Sequence, residues 1–351
     1  MLEHAYALLP EEWKTVCREH ALPAFRAKQI LLGLYQDKIS NWNELTTLPG
    51  TIREKFASIF PLTAMQEVVR TPITGDGVTK VLLEAPDGQR VETVWIPADG
   101  RITQCISSQV GCAMHCAFCA SGQLGCVRSL SAGEIVSEVL TLSRATGQYP
   151  NNIVVMGMGE PFMNYDAVLR ALRVLNCQQG ANIGARHITI STCGVVPGIN
   201  RLANEGVQFE LSVSLHAPSD MLRSKLMPVN RRWNIHELLE ACDAYTKTTG
   251  RIVTYEYTLI DHVNDRPAHA AELIRLLHGR KARVNLIPLS PVDEFDGRTP
   301  SQADCLAFLD TLLKSGIHTT MRRSRGKQAN AACGQLRLHN QKETRHGTEN
   351  F

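Results

Sequence analysis

Residues 103–145 read TQCISSQVGCAMHCAFCASGQLGCVRSLSAGEIVSEVLTLSRA, and the reading of this stretch decides the fold. It opens on a strand pattern and closes on an amphipathic helical pattern. Ser131 with Glu134 forms a capping box at the start of that helix. Between strand and helix lie three cysteines spaced as Cys112-x3-Cys116-x2-Cys119. The same strand-then-helix order continues downstream. Strand patterns run over 152–158, 187–192, 208–217, 252–260, 283–289 and 318–323. Helical patterns run over 165–176, 196–205, 235–248, 268–279 and 304–316. Regular alternation of this kind predicts a parallel sheet with helices outside it. About six units are too few for an eightfold barrel, so the expected fold class is α/β, an open, partial (β/α)6 barrel. In such folds the functional loops lie at the carboxyl ends of the strands.

Upstream the pattern differs. Helical periodicity covers EEWKTVCREH, PAFRAKQILLGLYQ and TIREKFASIF, with a Pro-Gly break at 49–50. VTKVLLEAPDGQRVETVWIP then alternates around Asp87-Gly88, a hairpin signal. The expected organisation is an N-terminal helical accessory domain with a β-hairpin over 1–97, a core over 98–340 and a tail over 341–351. No internal repeat or low-complexity segment interrupts it.

Hydrophobic residues make up 44% and charged residues 20% of the 351, which fits a soluble globular protein. No apolar run approaches the roughly 18–20 residues that span a bilayer, and the N-terminus lacks a basic-then-apolar signal pattern. We expect a cytoplasmic protein with no membrane partner. Net charge is only +3, but between Arg322 and Arg345 seven basic residues face the single acid Glu343. Such a stretch can neutralise RNA phosphates or form a solvated tail.

The eleven cysteines are too sparse for a disulfide scaffold. Cys17, Cys177, Cys242 and Cys305 sit in apolar patterns and read as packing. Cys112, Cys116 and Cys119 form a different class. Three thiolates in one loop can hold three irons of a cubane cluster, leaving the fourth iron open for a ligand. A structural zinc site would need four ligands, usually two pairs, and no second pair follows, although Cys126 stands seven residues on as an alternative fourth ligand.

This spacing resembles the signature of the radical S-adenosylmethionine superfamily, which also has a partial barrel. The resemblance implies a [4Fe–4S] cluster on Cys112, Cys116 and Cys119, one per chain, that cleaves S-adenosylmethionine to a radical. It also implies a Gly-Glu segment after the second barrel strand, found here as Gly159-Glu160 in GMGEP. More narrowly, the chain resembles the radical RNA adenine methyltransferases of the RlmN/Cfr family over nearly its whole length. The segments that carry this are VETVWIP, CISSQVGCAMHCAFCASGQLG, GMGEPFMNYD, ISTCGVVP, SVSLHAP, LMPVNRRW, EYTLIDHVND, VNLIPL and AACGQL.

Within that resemblance, Cys333 corresponds to the cysteine that becomes S-methylated. Cys105 corresponds to the resolving cysteine that forms a transient disulfide with it, and Glu92 to the proton acceptor. Without the family, Cys105 and Cys333 would both read as buried packing residues. Ser191, the Ser214-Leu215-His216 segment and Ser290 correspond to S-adenosylmethionine contacts, two molecules of which are consumed per turnover. The implied partners are 23S ribosomal RNA, transfer RNA and an electron donor such as flavodoxin.

The sequence departs from the family pattern at Ser290, where Asn is usual, at Gln328 and Ala329 before Cys333, and at Cys126 and Ser129. The leading expectation is methylation of adenine carbon 2. The alternatives are carbon 8 or another RNA target, and a non-catalytic RNA-binding protein with structural metal.

Overall fold

The computed structural model describes residues 4–62, 65–73, 75–123, 125–292 and 295–322. Cys333, Gln328, Ala329, the expected 341–351 tail and the basic stretch beyond Arg322 lie outside them.

The N-terminal helices are α1 (Pro10–Glu19), α2 (Phe25–Leu32) and α3 (Gly50–Ile59). Their apolar stripes converge on an aromatic cluster in which Trp13 touches Trp42, Phe56 and Phe60. The Trp42 indole satisfies its polar edge by donating to the Phe60 carbonyl at 2.8 Å.

Strands β1 (Gln66–Arg70), β2 (Thr79–Glu84) and β3 (Arg90–Ala98) follow. The pairing of β2 with β3 is the hairpin expected around Asp87-Gly88, and β1 adds a third strand that the sequence did not announce. The hairpin does not stand apart. β3 pairs antiparallel with β4 (Arg101–Cys105), which opens the parallel array. The expected boundary near residue 97 therefore falls on the last residues of a strand shared with the main sheet.

After β4 come β5 (Gln109–Gly111), the short α4 (Ala120–Gln123) and β6 (Cys126–Ser129). β5 and β6 make a two-stranded sheet of their own. The remaining elements are α5 (Ala132–Thr146), β7 (Asn152–Val155), α6 (Tyr165–Asn176), β8 (Ile188–Thr192), α7 (Val196–Ala203), β9 (Glu210–Ser214), α8 (Asp220–Leu226), α9 (Ile235–Thr249), β10 (Val253–Leu259), α10 (Pro267–Leu277), β11 (Ala282–Pro288), α11 (Gln302–Lys314) and β12 (His318–Met321). The main sheet runs β1-β2-β3-β4-β7-β8-β9-β10-β11-β12 and is parallel from β4 onward. Six helical crossovers thus link seven parallel strands, the open (β/α)6 arrangement that the alternation predicts.

Side-chain alternation sorts the two faces of this sheet. Ile188, Ile190, Leu211, Val213, Tyr255, Tyr257, Val284 and Leu286 are buried in the core. Ser191, Ser214, Glu256 and Asn285 point the other way, into a cavity. The helix caps follow local chemistry. Ser131 Oγ accepts from Glu134 N at 3.2 Å, and Glu134 Oε2 accepts from Ser131 N at 2.8 Å, completing the expected capping box.

The N-terminal helices share one hydrophobic core with the barrel. Polar links reinforce the contact. Met65 N donates to Ser137 Oγ (2.7 Å), Tyr149 OH to the Tyr35 carbonyl (2.6 Å) and Arg170 Nε to the Ala7 carbonyl (2.9 Å).

Candidate active site

A cavity of about 1280 Å³ opens at the carboxyl ends of the parallel strands. Ordinary ligand pockets hold about 300–1,000 Å³, so this one has room for a nucleotide cofactor and a further ligand. Cys105, Cys112, Cys116, Cys119, Gly159, Glu160, Ser191, Ser214, His216 and Ser290 all line it. The structure therefore brings together most of the residues that the sequence singled out from distant segments.

The three cysteines occupy one tightly built loop. Gly111 has φ 83°, and a Cβ there would lie 1.9 Å from the Gly125 carbonyl oxygen, so only glycine fits. Cys112 N donates to that same carbonyl at 2.8 Å, while Cys119 N donates to the Cys116 carbonyl at 3.1 Å. Ala117 N donates to Leu226 O at 2.9 Å, tying the loop to the end of α8. Burial pushes the Cys112 thiol up to about 12, and the neighbouring Cys119 and Glu160 add to it. The Cys116 thiol is pushed well up, chiefly by burial and then by the other two cysteines. Crowded, buried thiols of this kind become thiolates only beside a cation, which is what bound iron supplies. Among the described residues no three His, Cys, Asp or Glu side chains converge as around a single metal ion. Cys126 is exposed at the start of β6 and does not line the cavity.

Gly159 and Glu160 follow β7. Gly159 has φ 102°, and a Cβ would meet Gln109 Cβ at 2.6 Å. Glu160 is 3% exposed. Its Oε1 accepts from Phe162 N (3.0 Å) and its Oε2 from Cys193 N (2.7 Å), which fix the carboxylate at the cavity wall. Burial raises its pKa, opposed by these backbone donors. The Cys193 and Thr192 side chains also hydrogen-bond to this carboxylate.

His216 follows β9 in the left-handed region at φ 55°. Asn264 holds that turn by donating to the His216 and Thr258 carbonyls at 2.8 and 2.6 Å. Thr258 N donates to His216 Nδ1 at 2.8 Å, so Nε2 carries the ring proton. Burial, with Arg223 adding, lowers the imidazole pKa to about 3. His216 is therefore a neutral group that can donate from Nε2. Leu215 is fully buried and its side chain does not line the cavity; its main chain instead serves Arg223.

On the opposite wall Cys105 ends β4, 6% exposed, packed with Val78 and Val94. Glu92 on β3 is 1% exposed and does not itself line the cavity. It forms an ion pair with Lys80 Nζ at 3.1 Å. Ser107 Oγ donates to the Glu92 carbonyl at 2.7 Å.

Three further features of the site were not among the expected residues. Arg223 on α8 is fully buried. It donates to Leu215 O (3.2 Å), Asn230 Oδ1 (2.9 Å), Cys193 O (2.6 Å) and Ser214 O (3.0 Å), fastening the ends of β8 and β9. Glu256 and Asn285 pair at 2.9 Å on the cavity floor, where burial raises the Glu256 pKa. The alternation in EYTLI and VNLIP could have shown that both face inward. Lys80 is the third.

Comparison with known proteins agrees with this geometry. The radical SAM superfamily matches residues 106–274. The chain is similar to a probable dual-specificity RNA methyltransferase RlmN from Geobacillus kaustophilus (strain HTA426). Identity is 43% over 345 residues, covering 97% of this chain and 94% of that relative. It is likewise similar to the protein of that name from Clostridium tetani (strain Massachusetts / E88), at 44% over 327 residues and 93% of each. Its structure matches the crystal structure of a radical SAM methyltransferase from Sphaerobacter thermophilus with a TM-score of 0.91 and 46% identity, covering 95% of this chain and 98% of that one. The thiolate loop, the strand-end cavity and these whole-length matches agree, and the chain belongs to the RlmN family of the radical SAM superfamily.

Proposed function

We propose that the chain is a radical S-adenosylmethionine methyltransferase that methylates an adenine ring carbon, carbon 2, in 23S ribosomal RNA and transfer RNA. The observation that carries this is the meeting, in one strand-end cavity, of the three-thiolate loop with Cys105, in a chain 43% identical over 97% of its length to RlmN relatives. With one [4Fe–4S] cluster held by Cys112, Cys116 and Cys119, the family's chemistry is one-electron cleavage of S-adenosylmethionine to methionine and a 5′-deoxyadenosyl radical.

The residues of the chain then divide the work. Glu160 and the Gly159 backbone receive the ammonium of S-adenosylmethionine, and the neutral His216, with Ser191, Ser214 and Ser290, offers hydrogen bonds to its ribose and carboxylate. Leu215 contributes through its main chain. Cys333 carries the methyl group that becomes the new carbon on adenine, Glu92 accepts the proton lost from the ring, and Cys105 releases the product by forming a disulfide with Cys333. Two molecules of S-adenosylmethionine are used per turnover.

This reading includes an RNA-binding accessory domain over 1–97, a core over 98–340, a tail over 341–351, a cytoplasmic location and an electron donor such as flavodoxin. Among the described residues no helix is long and apolar enough to cross a membrane. The test is anaerobic turnover with RNA, reductant and S-adenosylmethionine. Cys105→Ala should accumulate a protein–RNA crosslink and Cys333→Ala should form none. Full methylation by both variants would overturn the two-cysteine mechanism.

A further inference from the structure

Lys80 is a buried ammonium with no part in the chemistry so far described. It lies on β2, whose register sets Lys80 opposite Val94 and Leu82 opposite Glu92. On the other side of β3, Val94 is opposite Cys105. Side chains alternate along each strand. Lys80, Glu92, Val94 and Cys105 therefore share one face of the sheet, the face on which Val94 and Cys105 line the cavity. Lys80 Nζ lies 3.1 Å from Glu92 Oε2, and both side chains are 1% exposed.

Burying two full charges is costly, and a same-sized apolar pair often serves stability as well or better. A buried pair on the face that carries Cys105 therefore suggests a use other than stability. A carboxylate that must receive a proton has to be held in one place and kept as the acceptor. An ammonium in direct contact does both. The titratable groups that the strands present to this face, among the described residues, are Lys80 and Glu84 of β2, Arg90 of β3, which pairs with Glu84 at 2.7 Å, and Arg101 and Cys105 of β4. Glu138 reaches Ser107 N from α5, which packs on the opposite face through Gln104.

We propose that Lys80 is a positioning residue for the release step. It orients the Glu92 carboxylate and balances its charge, so that Glu92 can take the ring proton before Cys105 displaces the product. The proton from the adenine carbon ends on Glu92, and the bonding electrons stay with the ring. This inference rests on the assignment of Glu92 as proton acceptor.

The experiment compares Lys80→Met, Glu92→Gln and the double variant in anaerobic turnover, measuring 5′-deoxyadenosine, methylated RNA and trapped protein–RNA crosslink. Lys80→Met should release 5′-deoxyadenosine at the wild-type rate while resolving the crosslink at least about tenfold more slowly. Glu92→Gln should trap the crosslink as well, and the double variant should be no worse than Glu92→Gln alone. A purely structural Lys80 would lower all three readouts together, which would overturn the proposal. If Glu92→Gln traps crosslink and Lys80→Met does not, Lys80 has no such role although Glu92 keeps its own. If Glu92→Gln methylates normally, the proton-acceptor assignment itself fails. Should Lys80→Met not fold, Lys80→Gln, which keeps a hydrogen-bond donor but no charge, carries the same expectation and the same overturning result.

Discussion

The cavity has two walls, and each buries a cation differently. Behind the wall formed by β8 and β9, the guanidinium of Arg223 on α8 is held by three main-chain carbonyls and the Asn230 amide oxygen. None of these acceptors is a carboxylate; the carboxylate that acts on Arg223 among the described residues, Asp220, does so without an ion-pair contact. Behind the wall formed by β3 and β4, Lys80 of β2 meets the Glu92 carboxylate directly. The first arrangement leaves a positive field for anionic groups nearby, and Arg223 acts in this way on the Cys116 and Cys193 thiols. The second is locally neutral and projects little field. One wall is thus suited to thiolates and a cluster, the other to a proton transfer confined to a single carboxylate.

The largest expected effect lies on the thiolate side. Cys112→Ala should abolish iron retention and 5′-deoxyadenosine release, whereas Cys126→Ala, on an exposed strand start, should keep both; anaerobic iron content and product chromatography measure this.

Next comes Arg223→Met, which removes a buried charge and leaves its carbonyls without donors. Each buried acceptor left unsatisfied costs about 1–3 kcal/mol, so we expect a loss of several kcal/mol in folding stability, seen as a lower denaturant midpoint. The opposite wall should behave differently. Lys80→Met alone should also cost about 3–5 kcal/mol, because it strands a buried carboxylate, but Lys80→Met with Glu92→Gln should cost less than the single change. If the double variant loses more than Lys80→Met, the pair does not neutralise itself and the contrast between the walls breaks.

The effect that is smallest at each step of one pH unit concerns His216. Its folded pKa, about 3, lies below the ordinary 6.5. Its contribution is therefore full above pH 6.5 and is lost as pH falls from 6.5 toward 3, by up to about 1.4 kcal/mol per unit. Denaturation midpoints across that range should fall with pH, and His216→Gln should flatten the slope.

The sequence showed what is local. Cys112, Cys116 and Cys119 sit within eight residues of chain, and their loop can be read from spacing alone. The strand–helix order survives as six crossovers because each element carries its own periodicity. Whatever depends on pairing across the sheet was not legible. Nothing in QEVVR announces that β1 joins a ten-stranded sheet, since four of its five residues are exposed and no alternation marks a buried face. Arg223 sits on a seven-residue helix, where a lone arginine reads as a solvated charge. The Lys80–Glu92 contact needs the β2–β3 register, which the hairpin turn predicts only after the strand ends are known. Glu160 was legible as a site residue, but its anchoring by Cys193 N, from a segment far along the chain, was not.

The most direct test of the central claim is nucleoside mass spectrometry of ribosomal and transfer RNA from cells with and without this protein. 2-Methyladenosine should disappear when the protein is absent and return when it is restored. Unchanged 2-methyladenosine in both RNAs, or loss of 8-methyladenosine in its place, would contradict it.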